Sequence, residues 1–168
     1  MTLCKINNIA AFLKSPKLRE YKTIICLWCI SGIIYAIVKF LISKYNNYKI
    51  FKYVFWHTIE NMPLYKEYPD QYYDNNHYGI IFNAIIAPFA ILPDLLGLIF
   101  WNVCNTIFLF YAIRQLPLTH NQKILIYWFS FIELMTAQGV QQFNISVAGI
   151  IILSFALIEK EKIFGRLV

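Results

Sequence analysis

Long apolar segments alternate with shorter polar ones along most of this chain, and four of the apolar segments are candidate membrane spans. Residues 23–43 and 95–116 are each long enough to cross a bilayer, because about 20 apolar residues suffice for a helix. Residues 123–136 and 145–158 are shorter, but we expect them to span as well. The pattern predicts an all-α fold, in which a polytopic membrane helical bundle occupies residues 23–168.

The polar segment between the first two long apolar segments, residues 44–79, begins with a helical period. Apolar side chains recur on one face from Asn47 to Met62, which predicts an amphipathic helix in the membrane interface, ended by Pro63. That face comprises Tyr48, Phe51, Phe55, Ile59 and Met62. Residues 80–92 are apolar but too short to cross, and Pro88 interrupts them. They predict a re-entrant or interfacial helix.

Composition agrees with a membrane protein. The chain is 59% hydrophobic and 14% charged, whereas soluble domains average about 45–50% apolar and about 25% charged residues. The net charge of +6 is spread along the chain and forms no basic patch, so nucleic acid is not an expected partner.

The positions of the basic residues predict the orientation of the bundle. They concentrate in a lead (residues 1–22), a connection (114–123) and a tail (160–166). If residues 80–92 do not cross, these three share one side, which the positive-inside rule makes cytoplasmic. The outer loop, residues 44–79, and the polar break AQGVQQFN that ends at Asn144 then meet on the outer face.

Six short elements occur in a fixed order that resembles glycosyltransferase family 87, the polyprenyl-phosphate-mannose-dependent membrane mannosyltransferases and their bacterial relatives. They are NYKIF at Asn47 to Phe51, NMPLY at Asn61 to Tyr65, YGI at Tyr78 to Ile80, APFAILPD at Ala87 to Asp94, Trp101-Asn102, and Gln142-Phe143-Asn144. The resemblance covers nearly the whole chain after Thr23. It implies a GT-C fold, of which this chain would be the N-terminal portion, truncated at its C-terminus.

The resemblance also implies an activity and a location. It implies a hexosyltransferase at the outer face of the bacterial cytoplasmic (inner) membrane, where the chain passes several times through the bilayer. The implied partners are a polyprenyl-phosphate sugar donor, a lipid or glycan acceptor, and membrane lipids. No cofactor and no metal are expected.

In that family an acid in the first outer loop is thought to act as the general base, a role that suits a carboxylate. Here the position is Asn47, which cannot usefully accept a proton near neutral pH. The role has moved, or this branch is inactive, or the correspondence is shifted by a few residues. The substitute acids are Glu60, Asp70 and Asp74, of which Asp70 and Asp74 are the stronger candidates. Each can also be a solvated loop charge or a helix cap.

Five further residues are candidates for substrate binding. His77 could shuttle a proton or bind an anion, with hydrogen bonding in the interface as the alternative. Tyr78 could stack on a sugar, although anchoring at the membrane interface is the commoner use of a tyrosine. Glu133 lies in an apolar helix, where an ionisable group is costly and therefore functional by default. With Gln142 and Asn144 it would line a polar cavity under the loop and hold sugar or phosphate hydroxyls. Hydrogen bonding between helices is the alternative for all three.

Two functions of other classes remain open. A non-catalytic membrane interaction protein is favoured by Asn47 and by the abrupt end of the chain. A small transporter subunit would use Glu133 for ion coupling, and it would require a repeat that the two halves of the sequence do not show.

Overall fold

A computed structural model describes residues 15–164, and six α-helices account for most of that range. They are α1 (Tyr21–Leu41), α2 (Asn46–Ile59), α3 (Ile80–Ala90), α4 (Asp94–Gln115), α5 (His120–Gly139) and α6 (Asn144–Phe164). A 3-10 turn, Pro16–Arg19, precedes α1. The all-α prediction is confirmed, since residues 15–164 contain no strand. The basic lead up to residue 14 and the tail from residue 165 lie outside the described residues.

The four long helices, α1, α4, α5 and α6, form a bundle around α4, which packs against the other three. Among the described helices, α1 and α4 are long and apolar enough to cross a membrane, judged by length and composition. At about 1.5 Å per residue they extend about 30 Å, the thickness of the hydrocarbon core. Helices α5 and α6 have similar lengths but carry more polar ends, from His120 to Lys123 and from Glu159 to Glu161.

Helix α5 begins at His120, three residues before the apolar segment that starts at residue 123. The Thr119 side chain accepts a hydrogen bond from the Gln122 backbone, and the Gln122 side chain accepts one from the Thr119 N–H. This capping box satisfies amide groups at the helix start and so extends the helix through the polar residues that precede its apolar stretch. The T-x-x-Q spacing is a sequence signal for this boundary.

One end of the bundle, which we call the basic end, contains the start of α1 and the end of α4. The Arg114 guanidinium lies 4.9 Å from the centre of the Tyr21 ring. Lys160, near the end of α6, donates to Gln115 Oε1 at 2.7 Å. The start of α5 lies here too, since the His120 ring is 4.9 Å from the Tyr21 ring.

The opposite end, which we call the loop end, contains the end of α1, the start of α4 and the turn between α5 and α6. Tyr45, just after α1, donates from its hydroxyl to Asp94 Oδ2 at 3.1 Å. Trp101 Nε1 donates to the Gln141 carbonyl at 3.3 Å. Residues 42–79 therefore share one end of the bundle with the α5–α6 turn, and the connection between α4 and α5 lies at the other.

Helix α2 packs against α3, and its buried face differs from the predicted apolar face. The buried residues are Tyr48, Ile50, Phe51, Val54 and His57. Of the predicted face, Tyr48 and Phe51 are buried and Ile59 is exposed, and the helix ends at Ile59, before Pro63. Asn61 adopts a left-handed conformation (φ 53°), and the Met62 N–H returns to the His57 carbonyl at 2.8 Å. This arrangement is typical of a helix C-terminus. It ends α2 before the chain reaches Pro63, which was predicted to end the helix.

Both ends of α3 pack against one side chain of α4. The Trp101 ring lies 6.2 Å from the Phe82 ring and 5.3 Å from the Phe89 ring. Helix α3 therefore lies entirely at the loop end, with exposed isoleucines such as Ile81 and Ile85 on its outer side. Its placement as a re-entrant or interfacial helix stays a prediction.

A buried amide, Gln138, holds the last turn of α5 in the bundle. It is fully buried, and its Nε2 donates to the Trp28 carbonyl at 3.0 Å and to Thr106 Oγ1 at 2.8 Å. Its Oε1 accepts from Ser31 Oγ at 2.8 Å. A buried polar group is stable only when it is paired, so this network fixes α5 against α1 and α4 in one register. The α5–α6 turn is fixed with it.

Candidate functional site

The start of α2 and the α5–α6 turn meet at the loop end through one side chain. Asn47 Nδ2 donates to the Val140 carbonyl at 2.8 Å, across 93 positions of sequence. Because a carbonyl needs a donor, an amide satisfies this contact where an ionised carboxylate would not. The residue at the expected acid position therefore joins the two polar segments.

The neighbouring residue, Asn46, fixes the outer loop against the same helix start. Its Nδ2 donates to the Tyr73 carbonyl, and its Oδ1 accepts from the Tyr73 N–H, each at 2.7 Å. This double hydrogen bond sets Asp74, the next residue, beside the N-terminus of α2 and hence close to Asn47. The Asp74 side chain is exposed, and its Oδ1 accepts from the Asn75 N–H at 2.7 Å.

The backbone of Asp74 has a φ of 75°, in the left-handed region that few residues adopt. Aspartate and asparagine tolerate this region better than most residues. Such conformations persist where surrounding contacts impose them, and they occur often at functional sites. Here the Asn46–Tyr73 pair precedes Asp74 directly, and the Asp74 side chain accepts from the next N–H.

The other two candidate acids lie away from Asn47. The neighbour of Asp70, Gln71, contacts His57 with its Oε1 2.7 Å from Nε2. His57 is ten residues from Asn47, which corresponds to about 15 Å along α2. Glu60 lies beyond that end of the helix, and both acids are exposed. Of the three carboxylates, Asp74 is the one that the fold sets near the start of α2.

His77 and Tyr78 follow at the entry to α3. His77 is exposed. The half-buried Tyr78 ring lies 4.9 Å from Phe51 and 4.3 Å from Phe82, so protein side chains already occupy much of its aromatic surface. Burial raises the pKa of Tyr78, which keeps its hydroxyl protonated at neutral pH.

Glu133, Gln142 and Asn144 line one groove of about 1020 Å³ between α5 and α6. Asn144 Nδ2 donates to Gln142 Oε1 at 3.2 Å, and Glu133 is exposed. Most of the wall is apolar, and residues 44–79 do not contribute to it. The candidate residues thus form two groups, one at the loop and one in this groove, with the α5–α6 turn between them.

The loop end contains an ion pair between Lys52 and Asp94 that the sequence alone does not indicate. Lys52 Nζ lies 2.5 Å from Asp94 Oδ1, and both side chains are partly exposed. Tyr45 donates to the same carboxylate. Burial and, secondly, the Asp94 charge raise the pKa of Tyr45, so it remains a donor. Asp94 closes the quoted segment APFAILPD and starts a helix, where an acid is favoured, but its pairing with Lys52 depends on the tertiary fold.

Replacing Asn47 by aspartate should weaken the fold, because a carboxylate would face the Val140 carbonyl without a donor. We expect a loss of about 1–2 kcal/mol, measured by thermal unfolding in detergent. Asn75→Asp is the matched control, since it adds the same charge at an exposed residue whose side chain bonds to no other described residue. Equal stability of the two variants would contradict the role given to Asn47.

The described residues contain no group of three His, Cys, Asp or Glu side chains that could hold a metal ion.

Comparison with known proteins identifies the family. No curated protein and no solved structure matches the chain. The family model described as glycosyltransferase family 87 matches residues 76–167, more than half of the chain. The match includes His77, Tyr78, Glu133, Gln142 and Asn144, and it begins after Asn47, Asp70 and Asp74. The chain belongs to glycosyltransferase family 87.

Proposed function

We propose that this chain is a hexosyltransferase, mannosyltransferase-like, that uses a polyprenyl-phosphate-linked sugar at the outer face of the bacterial cytoplasmic membrane. Membership of the family implies glycosyltransferase activity, and the donor and the location are the proposal. The observation that carries it is the hydrogen bond from Asn47 to Val140, because it joins the outer loop to the turn beside the groove. An acid on the loop and amides on the turn can then act on one substrate.

In the proposed reaction, Asp74 is the general base. The acceptor hydroxyl oxygen attacks the anomeric carbon of the donor sugar, and the bond from that carbon to the phosphate oxygen breaks. The hydroxyl proton passes to the Asp74 carboxylate, and polyprenyl phosphate leaves with the bonding electron pair. Asp74 suits this role because it is exposed and lies in no ion pair among the described residues. The phosphate leaving group makes positioning the main further requirement.

The amides of the groove are proposed to bind the donor. Gln142 and Asn144 lie where the groove meets the loop end, and each offers donors and an acceptor for sugar or phosphate oxygens. Glu133 would accept from a sugar hydroxyl. His77, exposed at the loop, would contact the acceptor.

A non-catalytic membrane interaction protein is the second candidate function. One observation favours it, namely that the residue at the expected acid position is an amide and not a carboxylate. The two functions differ in one assay, the transfer of labelled mannose from polyprenyl phosphate to lipid or glycan acceptors in membranes that contain the chain. Transfer above the level of membranes that lack the chain supports the enzyme.

A cysteine-labelling experiment tests the proposed membrane placement. Single cysteines at Asn75, Val140 and Leu118, all exposed positions, would be introduced after the native cysteines are replaced. We expect an impermeant maleimide to label the first two positions in intact cells and Leu118 only after lysis. Labelling of Asn75 and Val140 from opposite sides would refute the proposed shared site.

A further inference from the structure

The basic end contains a cavity that the proposed sugar transfer does not use. Its volume is about 720 Å³, and its walls include Arg19, Lys22, Arg114 and His120. One carboxylate, Glu20, also lines it. In the described part of the chain, Arg19, Lys22 and Arg114 make no ion pair. Three cations therefore face one cavity with a single acid to balance them.

Local contacts hold two of the three cationic groups in position. The Arg114 guanidinium lies 4.9 Å from the centre of the Tyr21 ring, a cation–π arrangement. Arg19 Nη2 donates to Asn121 Oδ1 at 2.5 Å, which leaves its other N–H groups for a ligand. Arginine presents a planar set of donors that matches the oxygens of a phosphate. The cavity thus offers donors suited to a phosphate.

Arg19 also lines the groove between α5 and α6, so the cavity and the groove adjoin at this residue. From Asn121 to Ala137 the groove follows α5 for about 24 Å, since each residue adds about 1.5 Å. Leu125 and Phe129 are strongly exposed on its wall, about 8 and 14 Å from the start of α5. Donors suited to an anion therefore lie next to one end of a long, mostly apolar groove.

We propose that the basic cavity and the adjoining part of the groove bind an anionic phospholipid. Its phosphate lies among Arg19, Lys22 and Arg114, and one acyl chain lies along Leu125 and Phe129. Basic pockets between membrane helices on the cytoplasmic side bind anionic head groups in this way. The head-group site lies at the basic end, whereas the residues proposed for sugar transfer lie toward the loop end of the same groove. The proposal rests on the membrane placement given under the proposed function.

The test uses the full chain purified in a mild detergent, with lipid binding followed by native mass spectrometry and by thermal unfolding. Phosphatidylglycerol should bind at least fivefold more tightly than phosphatidylcholine. The double variant R19Q/K22Q should lose roughly 25-fold in affinity for phosphatidylglycerol, about fivefold for each charge removed. The control K44Q/K66Q removes two exposed charges at the loop end and should leave that affinity unchanged.

Two further arms identify the ligand. Phe129→Ser alters an exposed side chain and should weaken phosphatidylglycerol several-fold, because the acyl chain loses apolar contact. Inorganic phosphate at the same concentration should not stabilise the protein. Equal binding of the two lipids, an equal loss in K44Q/K66Q, or equal stabilisation by inorganic phosphate would each overturn the proposal. Failure of the membrane placement is seen separately, as labelling of L118C in intact cells.

Discussion

Replacing Asp74 by asparagine is expected to lower the rate of sugar transfer by about 100-fold or more. The expected loss is that of a general base, whose contribution to a proton transfer is typically about 10²–10⁴-fold. Asparagine has nearly the same size and also tolerates the left-handed conformation that Asp74 adopts. The variant should therefore fold as the wild type does, and the loss should be chemical. The measurement is transfer of labelled sugar from polyprenyl phosphate in membranes, at equal protein content.

Asp70→Asn is the matched control, since it removes the same charge from the same loop. Asp70 neighbours Gln71, which bonds to His57 toward the far end of α2, so we expect a loss of less than about threefold, the size of a remote electrostatic effect. Wild-type rates in both variants would exclude both acids as the base. A strong loss in Asp70→Asn alone would transfer the role to that residue. A faster transfer rate in Asn47→Asp would show that a carboxylate at position 47 can act as the general base in this chain.

The periodic features of the fold could be predicted from the sequence. The apolar lengths indicated α1 and α4, and Pro88 together with a short apolar stretch indicated that residues 80–92 differ from the long helices. The ends of helices were less predictable, because they depend on local hydrogen bonds. Asn61 ends α2 before Pro63, and the Thr119 cap starts α5 early.

The candidate site could be predicted only in part, because its contacts join distant segments. The NYKIF motif draws attention to Asn47, but no feature of the neighbouring sequence indicates that its side-chain amide bonds to the Val140 carbonyl. The amides of AQGVQQFN indicate the turn between α5 and α6, and Gln142 and Asn144 line the groove there. The amide that fixes the turn in the bundle is instead Gln138, whose partners lie on two other helices. Side-chain pairing of this kind is set by tertiary packing and has no periodic signal.

Helices α2 and α3 pack closely against α4 at Gly97. A Cβ added at Gly97 would overlap the Tyr48 hydroxyl and lie 2.6 Å from the Phe89 carbonyl oxygen. Tyr48 is fully buried and donates to that carbonyl at 2.9 Å, so neither group can easily move aside. Gly97→Ala is therefore expected to destabilise the protein by about 3 kcal/mol, the upper range of overpacking effects. Thermal unfolding in detergent should show a Tm lower by roughly 6–12 °C.

Gly79→Ala supplies the control, because a Cβ there would meet only the Tyr65 hydroxyl at 3.6 Å, an ordinary contact. Its Tm should fall by no more than about 4 °C, since alanine in place of glycine at the N-cap of α3 costs about 1 kcal/mol. Adding Tyr48→Phe to Gly97→Ala removes the overlapping hydroxyl but leaves the close carbonyl, so we expect partial recovery. The Gly97→Ala variant should also lose sugar transfer, because Tyr48 and Asn47 are consecutive residues of α2. A variant with wild-type Tm would show that α2 is seated by other contacts, and the position inferred for Asp74 would then lose its support.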